Sequence, residues 1–196
     1  MARPSQRGQY AKGELKREEI LDMAVLAFGK FGYHATSMRE VANSCGLSPA
    51  GLLHYFPTKE ALLLALVDRR ETEQSVDDPY DPEAWLDSLL TREALNEEGK
   101  AVTQLWSCLV GEATDPAFPV HEYFVSRYEK TRLGFALHFA KINGRDKPVD
   151  EDNIRAAMLT AFWDGLQIQW LLNPNFDMRR HFEYGIVMLS RYSRFK

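Results

Sequence analysis

Apolar residues recur three or four positions apart along most of the chain, and polar or proline-bearing stretches separate these segments. The first segment has its apolar positions at Ile20, Leu21, Ala24, Ala27, Phe28 and Phe31. This spacing predicts an amphipathic helix. No segment sustains the two-residue alternation that is typical of a strand. The pattern therefore predicts an all-α protein.

Residues 37–59 predict two short helices joined by a tight turn. Ser37 and Glu40 have the spacing of a capping box, in which each side chain accepts a hydrogen bond from a backbone N–H of the other residue. Gly46 can end the first helix in the left-handed conformation. Ser48 can cap a second helix with Pro49 at its first position. This arrangement is typical of a helix-turn-helix that places its second helix in the DNA major groove.

The C-terminal part predicts further helices. One begins at Asp81, and the others cover residues 97–113, 120–142, 150–172 and 177–192. The helix at 150–172 is apolar on nearly all sides, so it must be covered on nearly all sides. We expect its own domain to cover one side and a second copy of the chain to cover the other. A buried core helix in a monomer is the alternative.

The N-terminal segment resembles the tetracycline-repressor (TetR) family over about residues 13–70. The matching motifs are IL-x2-A-x2-AF-x3-GY (20–33), TSMREVA (36–42), GLSPAGLLHYF (46–56) and TKEALL (58–63). The resemblance implies a three-helix helix-turn-helix DNA-binding domain followed by a C-terminal helical ligand-binding and dimerisation domain. We accordingly predict a flexible basic arm (1–12), the DNA-binding domain (13–58), a connecting helix (59–70) and a C-terminal effector-binding and dimerisation domain (71–196).

The charge distribution suits a nucleic-acid partner for the N-terminal part, although the net charge of the chain is −4. Residues 1–70 hold 10 Lys and Arg against 7 Asp and Glu, whereas the rest is acidic. Recognition helices read bases near their N-terminal ends, and flanking groups hold phosphates. The expected contacts with double-stranded operator DNA, which the family comparison supports, are Thr36, Ser37, Arg39, Ser48, Pro49, Ala50, Gly51, His54, Tyr55 and Lys59.

Leu53 departs from the family pattern, in which this position commonly carries a tyrosine whose hydroxyl contacts a phosphate. A leucine cannot make that contact. His54 and Tyr55 lie beside it, so we expect the phosphate contacts to be redistributed.

Seventeen of the 23 aromatic residues, including all four tryptophans, lie beyond residue 70. Many of these residues must build the core, and the excess also suits an apolar pocket with a few polar groups and few charged ones. The predicted lining residues for a small apolar or aromatic effector are Trp106, Phe124, Tyr128, His138, Trp163 and Gln167. The family comparison implies that the last two helices form a homodimer interface, predicted to contain Ala157, Ala161, Gly165, Ile168, Phe182, Ile186 and Leu189.

The sequence offers little for catalysis. It has no glycine-rich phosphate loop, no G-x-S-x-G motif and no metal-ligand spacing of its cysteines. We expect no enzyme activity, cofactor or metal, no membrane association, and a cytoplasmic location. Two interpretations from the same fold stay open: a ligand-responsive regulator, most simply a repressor released from a palindromic operator, and a DNA-binding structural or cell-division factor without an effector. The N-terminal motif argues against a third, a small all-helical enzyme whose helix-turn-helix is incidental.

Overall fold

The computed structural model describes residues 6–73, 100–173 and 175–191. All regular secondary structure in these ranges is helical, which confirms the predicted all-α class. The helices are α1 (Gln6–Phe31), α2 (Met38–Ser44), α3 (Pro49–Tyr55), α4 (Lys59–Glu73), α5 (Lys100–Glu112), α6 (His121–Ile142), α7 (Asp150–Leu172) and α8 (Met178–Arg191). Residues 6–12, assigned above to a flexible arm, belong to α1. The helix predicted to begin at Asp81 lies outside the described residues.

The buried apolar side chains form two clusters. The first, here called the N-terminal core, joins α1–α4 to α5 and the start of α6 and includes Phe28, Phe56 and Leu105. The second, the C-terminal core, lies among the second half of α6, α7 and α8 and includes Phe139 and Phe182. The core of the helix-turn-helix thus continues past residue 70, where the sequence suggested a boundary.

Helices α1 and α5 pack at unusually close range. At Gly29 a Cβ atom would come within 2.9 Å of the backbone carbonyl oxygen of Ala101, which no real side chain tolerates. Tyr33, just after α1, packs edge-on against Phe118 with ring centroids 5.3 Å apart. These contacts fix the helix-turn-helix unit against the C-terminal part of the protein.

Helix α4 is tied to α1 by charge. The guanidinium of Arg69 lies 2.8 Å from the carboxylate of Asp22 and 3.2 Å from that of Glu18. Both carboxylates are largely exposed, so each pair contributes little stability by itself. The pairs link the second half of α4 to the middle of α1. None of the described helices has both the length and the apolar character needed to cross a bilayer.

Candidate DNA interface and ligand pocket

The turn between α2 and α3 is built by the local signals that the sequence carries. The Ser37 hydroxyl accepts from the Glu40 N–H at 3.2 Å, and the Glu40 carboxylate accepts from the Ser37 N–H at 2.7 Å. Gly46 has a φ of +64°, the left-handed conformation expected at the end of α2. The Ser48 hydroxyl accepts from the Gly51 N–H at 3.0 Å, with Pro49 in the first turn of α3. These caps position α3 as a short outer helix.

Most of the predicted DNA contacts lie on the surface of this unit. Those with exposed side chains are Ser37, Arg39, Ser48, Pro49, Ala50 and His54. Gly51 and Tyr55 are half-buried. Leu53 is 47 % exposed, so an apolar side chain lies on the surface beside His54, where the family pattern has a hydroxyl.

Thr36 belongs to the fold instead of the predicted DNA surface. Its side chain is 1 % exposed, and the hydroxyl donates to the Gly32 carbonyl at 2.9 Å. A buried hydroxyl that already donates inside the protein cannot reach a phosphate. Thr36 therefore closes the turn between α1 and α2, and we remove its side chain from the candidate contacts.

Lys59 is also held within the protein. Its ammonium group donates to the His34 carbonyl at 3.3 Å and lies 4.3 Å from the centre of the Tyr33 ring. Partial burial lowers the pKa of Lys59. Its first role is to join the start of α4 to the turn after α1, so any phosphate contact would compete with these interactions.

Arg17 has a structural role that the sequence did not predict, because it holds the end of the reading helix. Its guanidinium lies 4.3 Å from the centre of the Phe56 ring and donates to the Tyr55 carbonyl at 3.3 Å. It thereby secures the C-terminal end of α3 from α1. A charged residue in the exposed pattern of α1 gave no signal for this role.

A cavity of about 240 Å³ opens among α5, α6 and α7. Five of the six predicted lining residues line it, namely Trp106, Phe124, Tyr128, Trp163 and Gln167. The further lining residues are Ser107, Val110, Arg127, Thr131, Thr160, Asp164, Gly165 and Ile168. We call this cavity the ligand pocket. It lies between the two cores, because Trp106 and Phe124 belong to the N-terminal core and Trp163 to the C-terminal core.

His138 is not among the residues that line the pocket. It is buried, and its ring lies 5.8 Å from that of Phe139, its neighbour in the chain. His138 lies ten residues after Tyr128 on α6. The two side chains therefore lie nearly three helical turns apart and have different neighbours. His138 is therefore a core residue.

The pocket is more polar than the sequence suggested. The Tyr128 hydroxyl donates to Oδ2 of Asp164 at 2.7 Å, and Arg127 lines the same space. Burial raises the pKa of Asp164, with smaller opposing effects from the Tyr128 hydrogen bond and the charge of Arg127. Burial also raises the pKa of Tyr128, and the bond to Asp164 adds to that shift. The prediction of few charged groups is wrong for this carboxylate and guanidinium.

Helices α7 and α8 present a continuous exposed surface that we call the apolar face. Its residues are Met158, Ala161, Phe162, Gly165, Tyr184 and Met188. Among the predicted interface residues, those exposed on α7 are Ala157, Ala161, Gly165 and Ile168. Gly165 lines both the pocket and this face, which therefore lie on two sides of α7.

On α8 the interface prediction needs correction. Phe182 is 0 % and Leu189 6 % exposed, and both belong to the C-terminal core of their own chain. Ile186 is partly buried against the same core. The outward side of α8 carries Tyr184 and Met188. These two residues replace Phe182 and Leu189 as candidates for contact with a second copy.

Comparison with known proteins agrees with this architecture. The family model "Bacterial regulatory proteins, tetR family" matches residues 20–66. The HTH-type transcriptional regulator RutR of Escherichia coli K12 is 42% identical over 52 residues, which are 26% of this chain and 24% of RutR. The chain thus spans about a quarter of that relative's length.

Solved structures extend the likeness to the whole fold. The SmeT–triclosan complex has a TM-score of 0.67 at 17% identity and covers 89% of this chain and 90% of its own. A second neighbour is NalD of Pseudomonas aeruginosa, the secondary repressor of the MexAB-OprM multidrug efflux pump. Its TM-score is 0.66 at 21% identity, and the match covers 92% of this chain and 96% of NalD. Residues 20–66 thus carry the helix-turn-helix domain of the tetR family of bacterial regulatory proteins, and the described residues share the fold of these solved structures.

Proposed function

We propose that the protein is a ligand-responsive transcriptional regulator that binds a palindromic operator as a homodimer and releases it when a small molecule fills the pocket. Repression is the simplest form of regulation for a protein that leaves its operator when a ligand binds. The observation that carries the proposal is the position of the pocket. One wall, Trp106, belongs to the same core that supports the helix-turn-helix.

The DNA-reading part of the proposal rests on α2 and α3. The N-terminal end of α3, with Ser48, Pro49 and Ala50 exposed, has the shape to approach base edges in the major groove. These side chains offer mainly van der Waals contact and one hydroxyl. Arg39, exposed on α2, is the strongest candidate for a guanine edge or a phosphate.

Two copies are needed because a single short helix reads few bases. The apolar face supplies a surface through which α7 and α8 of two copies can pack. Small residues at Ala161 and Gly165 allow close approach of a partner helix, and a Cβ on Gly165 would meet no atom within 4 Å in the single chain. A dimer of this kind presents its two α3 helices to successive half-sites.

Arg70 offers a route from the pocket to the DNA-reading unit. Its guanidinium lies 5.2 Å from the centre of the Trp106 ring. Arg70 stands near the end of α4, and Lys59 begins that helix next to the turn after α1. A ligand that moves Trp106 would therefore displace α4 and change the separation of the two reading helices. It shifts the equilibrium only by its differential affinity for the two arrangements.

The alternative function, a DNA-binding structural factor without an effector, predicts a filled C-terminal part. The cavity of about 240 Å³ with aromatic walls favours the ligand-responsive regulator. Two structural neighbours add support, since one is described as a repressor of a multidrug efflux pump and another as a complex with triclosan.

Selection of bound duplexes from a random DNA library by the purified full chain tests the DNA-binding half of the proposal. We expect a palindromic consensus whose half-sites lie about one helical turn apart or a multiple of it. Enrichment of no sequence, or of a single unrepeated site, would contradict a dimeric reader of operators.

Arg39→Ala is expected to weaken binding to the selected operator by about 1–3 kcal/mol if the guanidinium grips a guanine edge, with relaxed preference at one symmetric pair of positions. If it grips a phosphate, the loss should be nearly uniform across sequences, with a shallower salt dependence. Operator titrations at several salt concentrations distinguish the two. Arg132→Ala, the same change at an exposed position of α6, is the control and should leave affinity unchanged. Equal affinities for wild type and Arg39→Ala would remove Arg39 from the interface.

A further inference from the structure

Asp164 gives the ligand pocket a chemical preference that its aromatic walls alone do not. It lies on α7 between Trp163 and Gly165, both of which also line the pocket. Tyr128 donates to Oδ2 of Asp164 at 2.7 Å and is its one hydrogen-bond donor within the described residues. Oδ1 therefore has acceptor capacity left for a ligand.

The surrounding walls favour a cation over an anion. Trp106, Phe124 and Trp163 are large aromatic side chains, and the faces of such rings attract positive charge. A carboxylate among aromatic side chains is complementary to an ammonium group carried on an apolar body. The volume, about 240 Å³, is below the range of about 300–1,000 Å³ typical of pockets for drug-sized ligands, so the ligand should be small.

We propose that the pocket takes a small aromatic amine, whose ammonium group donates to Oδ1 of Asp164 while its ring lies between Trp106 and Trp163. This inference rests on the effector pocket of the proposed function and names the chemical class of the effector. Asp164 is the residue that selects for positive charge, and Tyr128 is a positioning residue that orients the carboxylate.

Arg127 is the group that opposes this selection, since its guanidinium lines the same pocket. It acts on Asp164 by stabilising the charged carboxylate. An anionic ligand paired with Arg127 would lie close to Asp164 and be repelled by it. An amine is attracted by the carboxylate and by the aromatic walls and is repelled by Arg127 and, from the Trp106 wall, by Arg70.

The pH dependence of amine binding follows from the same geometry. Burial raises the pKa of Asp164 in the empty pocket, and a bound ammonium group lowers it again because it stabilises the charged form. Affinity for the amine should therefore rise as the pH increases through the pKa of Asp164 in the ligand-free protein, and binding in that range should release a proton. The ionisable groups facing Asp164 from α6 are Arg127 and Tyr128, whereas the α5 lining residues Trp106, Ser107 and Val110 carry none.

Three probes with one aromatic framework test the inference: the amine 1-naphthylmethylamine, the alcohol 1-naphthylmethanol and the carboxylate 1-naphthaleneacetate, called the naphthylacetate below. We expect calorimetry on the full chain to give the amine the highest affinity, by about tenfold or more over the alcohol, because a charge-assisted hydrogen bond is roughly twice as strong as a neutral one. In Asp164→Asn the amine should fall to the level of the alcohol, and its pH dependence should disappear. Asp146→Asn, at an exposed carboxylate outside the pocket, should change nothing.

Tyr128→Phe is a second variant that keeps the inference testable if Asp164→Asn does not fold. It keeps the Asp164 carboxylate and removes its hydrogen-bond donor, so the preference for the amine over the alcohol should persist. Three results would each overturn the inference. They are highest affinity for the naphthylacetate, equal binding of the amine to Asp164→Asn and wild type, and no binding of any probe.

Operator titrations with the same probes separate this inference from the proposed function. If the carboxylate probe binds more tightly than the amine and releases the operator, the role of Asp164 is wrong and the regulator stands. If the amine binds through Asp164 and operator affinity does not change, the ligand class is right and the proposed response is wrong.

Discussion

Ala161→Arg is expected to leave the chain monomeric and to weaken operator binding by about 100-fold or more, the range lost when two linked binding units act separately. Ala161 is exposed on the apolar face of α7, where a helix of a second copy would pack. An arginine there would become buried without a partner in the dimer, at a cost of several kcal/mol. The monomer itself should fold, because the new side chain points to solvent in the single chain.

Sedimentation and operator titration measure the two effects of Ala161→Arg together. Val125→Arg is the matched control, since it places the same charge at an exposed apolar position of α6 outside the apolar face. It should remain dimeric with unchanged affinity. A stable Ala161→Arg dimer that binds the operator as tightly as wild type would refute the assignment of this face.

Trp106→Ala is expected to lower the free energy of unfolding by about 3–5 kcal/mol and to uncouple ligand from operator. The side chain is 5 % exposed, and its ring packs edge-on against Phe124 with centroids 6.0 Å apart. Its removal leaves a cavity in the N-terminal core. It also removes the pocket wall that contacts Arg70. The remaining folded protein should bind operator in the absence of ligand, because the helix-turn-helix contacts stay in place.

Trp170→Ala is the matched control for Trp106→Ala. Trp170 is 2 % exposed in the C-terminal core and does not line the pocket. A similar loss of stability is expected, with the ligand response retained at temperatures where both variants are folded. Thermal melts and operator titrations with and without ligand supply the comparison. An equal ligand response in the two variants would show that Trp106 carries no signal.

The helix-turn-helix was predictable because its signals are local. The capping box of Ser37 and Glu40, the left-handed Gly46 and the Ser48 cap each act within four residues, and the structure forms all three. The limits of α7 were predictable for the same reason, since an acidic first turn precedes a long apolar helix. Thr36 was misplaced because its partner, the carbonyl of Gly32, becomes available only when the turn after α1 closes over the hydroxyl.

The pocket and the interface depend on which helices meet, and that information is spread along the chain. Phe182 and Leu189 lie on an apolar stripe of α8, but periodicity does not distinguish a stripe that faces its own core from one that faces a second copy. Asp164 was missed because a single acidic residue in an apolar helix looks like an exposed interruption. Its role depends on Tyr128, 36 residues earlier, whose hydroxyl meets it across the pocket.

A thermodynamic cycle on the wild-type full chain tests whether ligand binding and operator release are linked. Operator affinity is measured with and without the naphthyl probe that binds, and the affinity for that probe is measured with and without operator. We expect each to weaken the other by the same factor, of about 5- to 150-fold, as linkage requires. Binding of a probe in the pocket with operator affinity unchanged would show that the protein is not a ligand-released regulator.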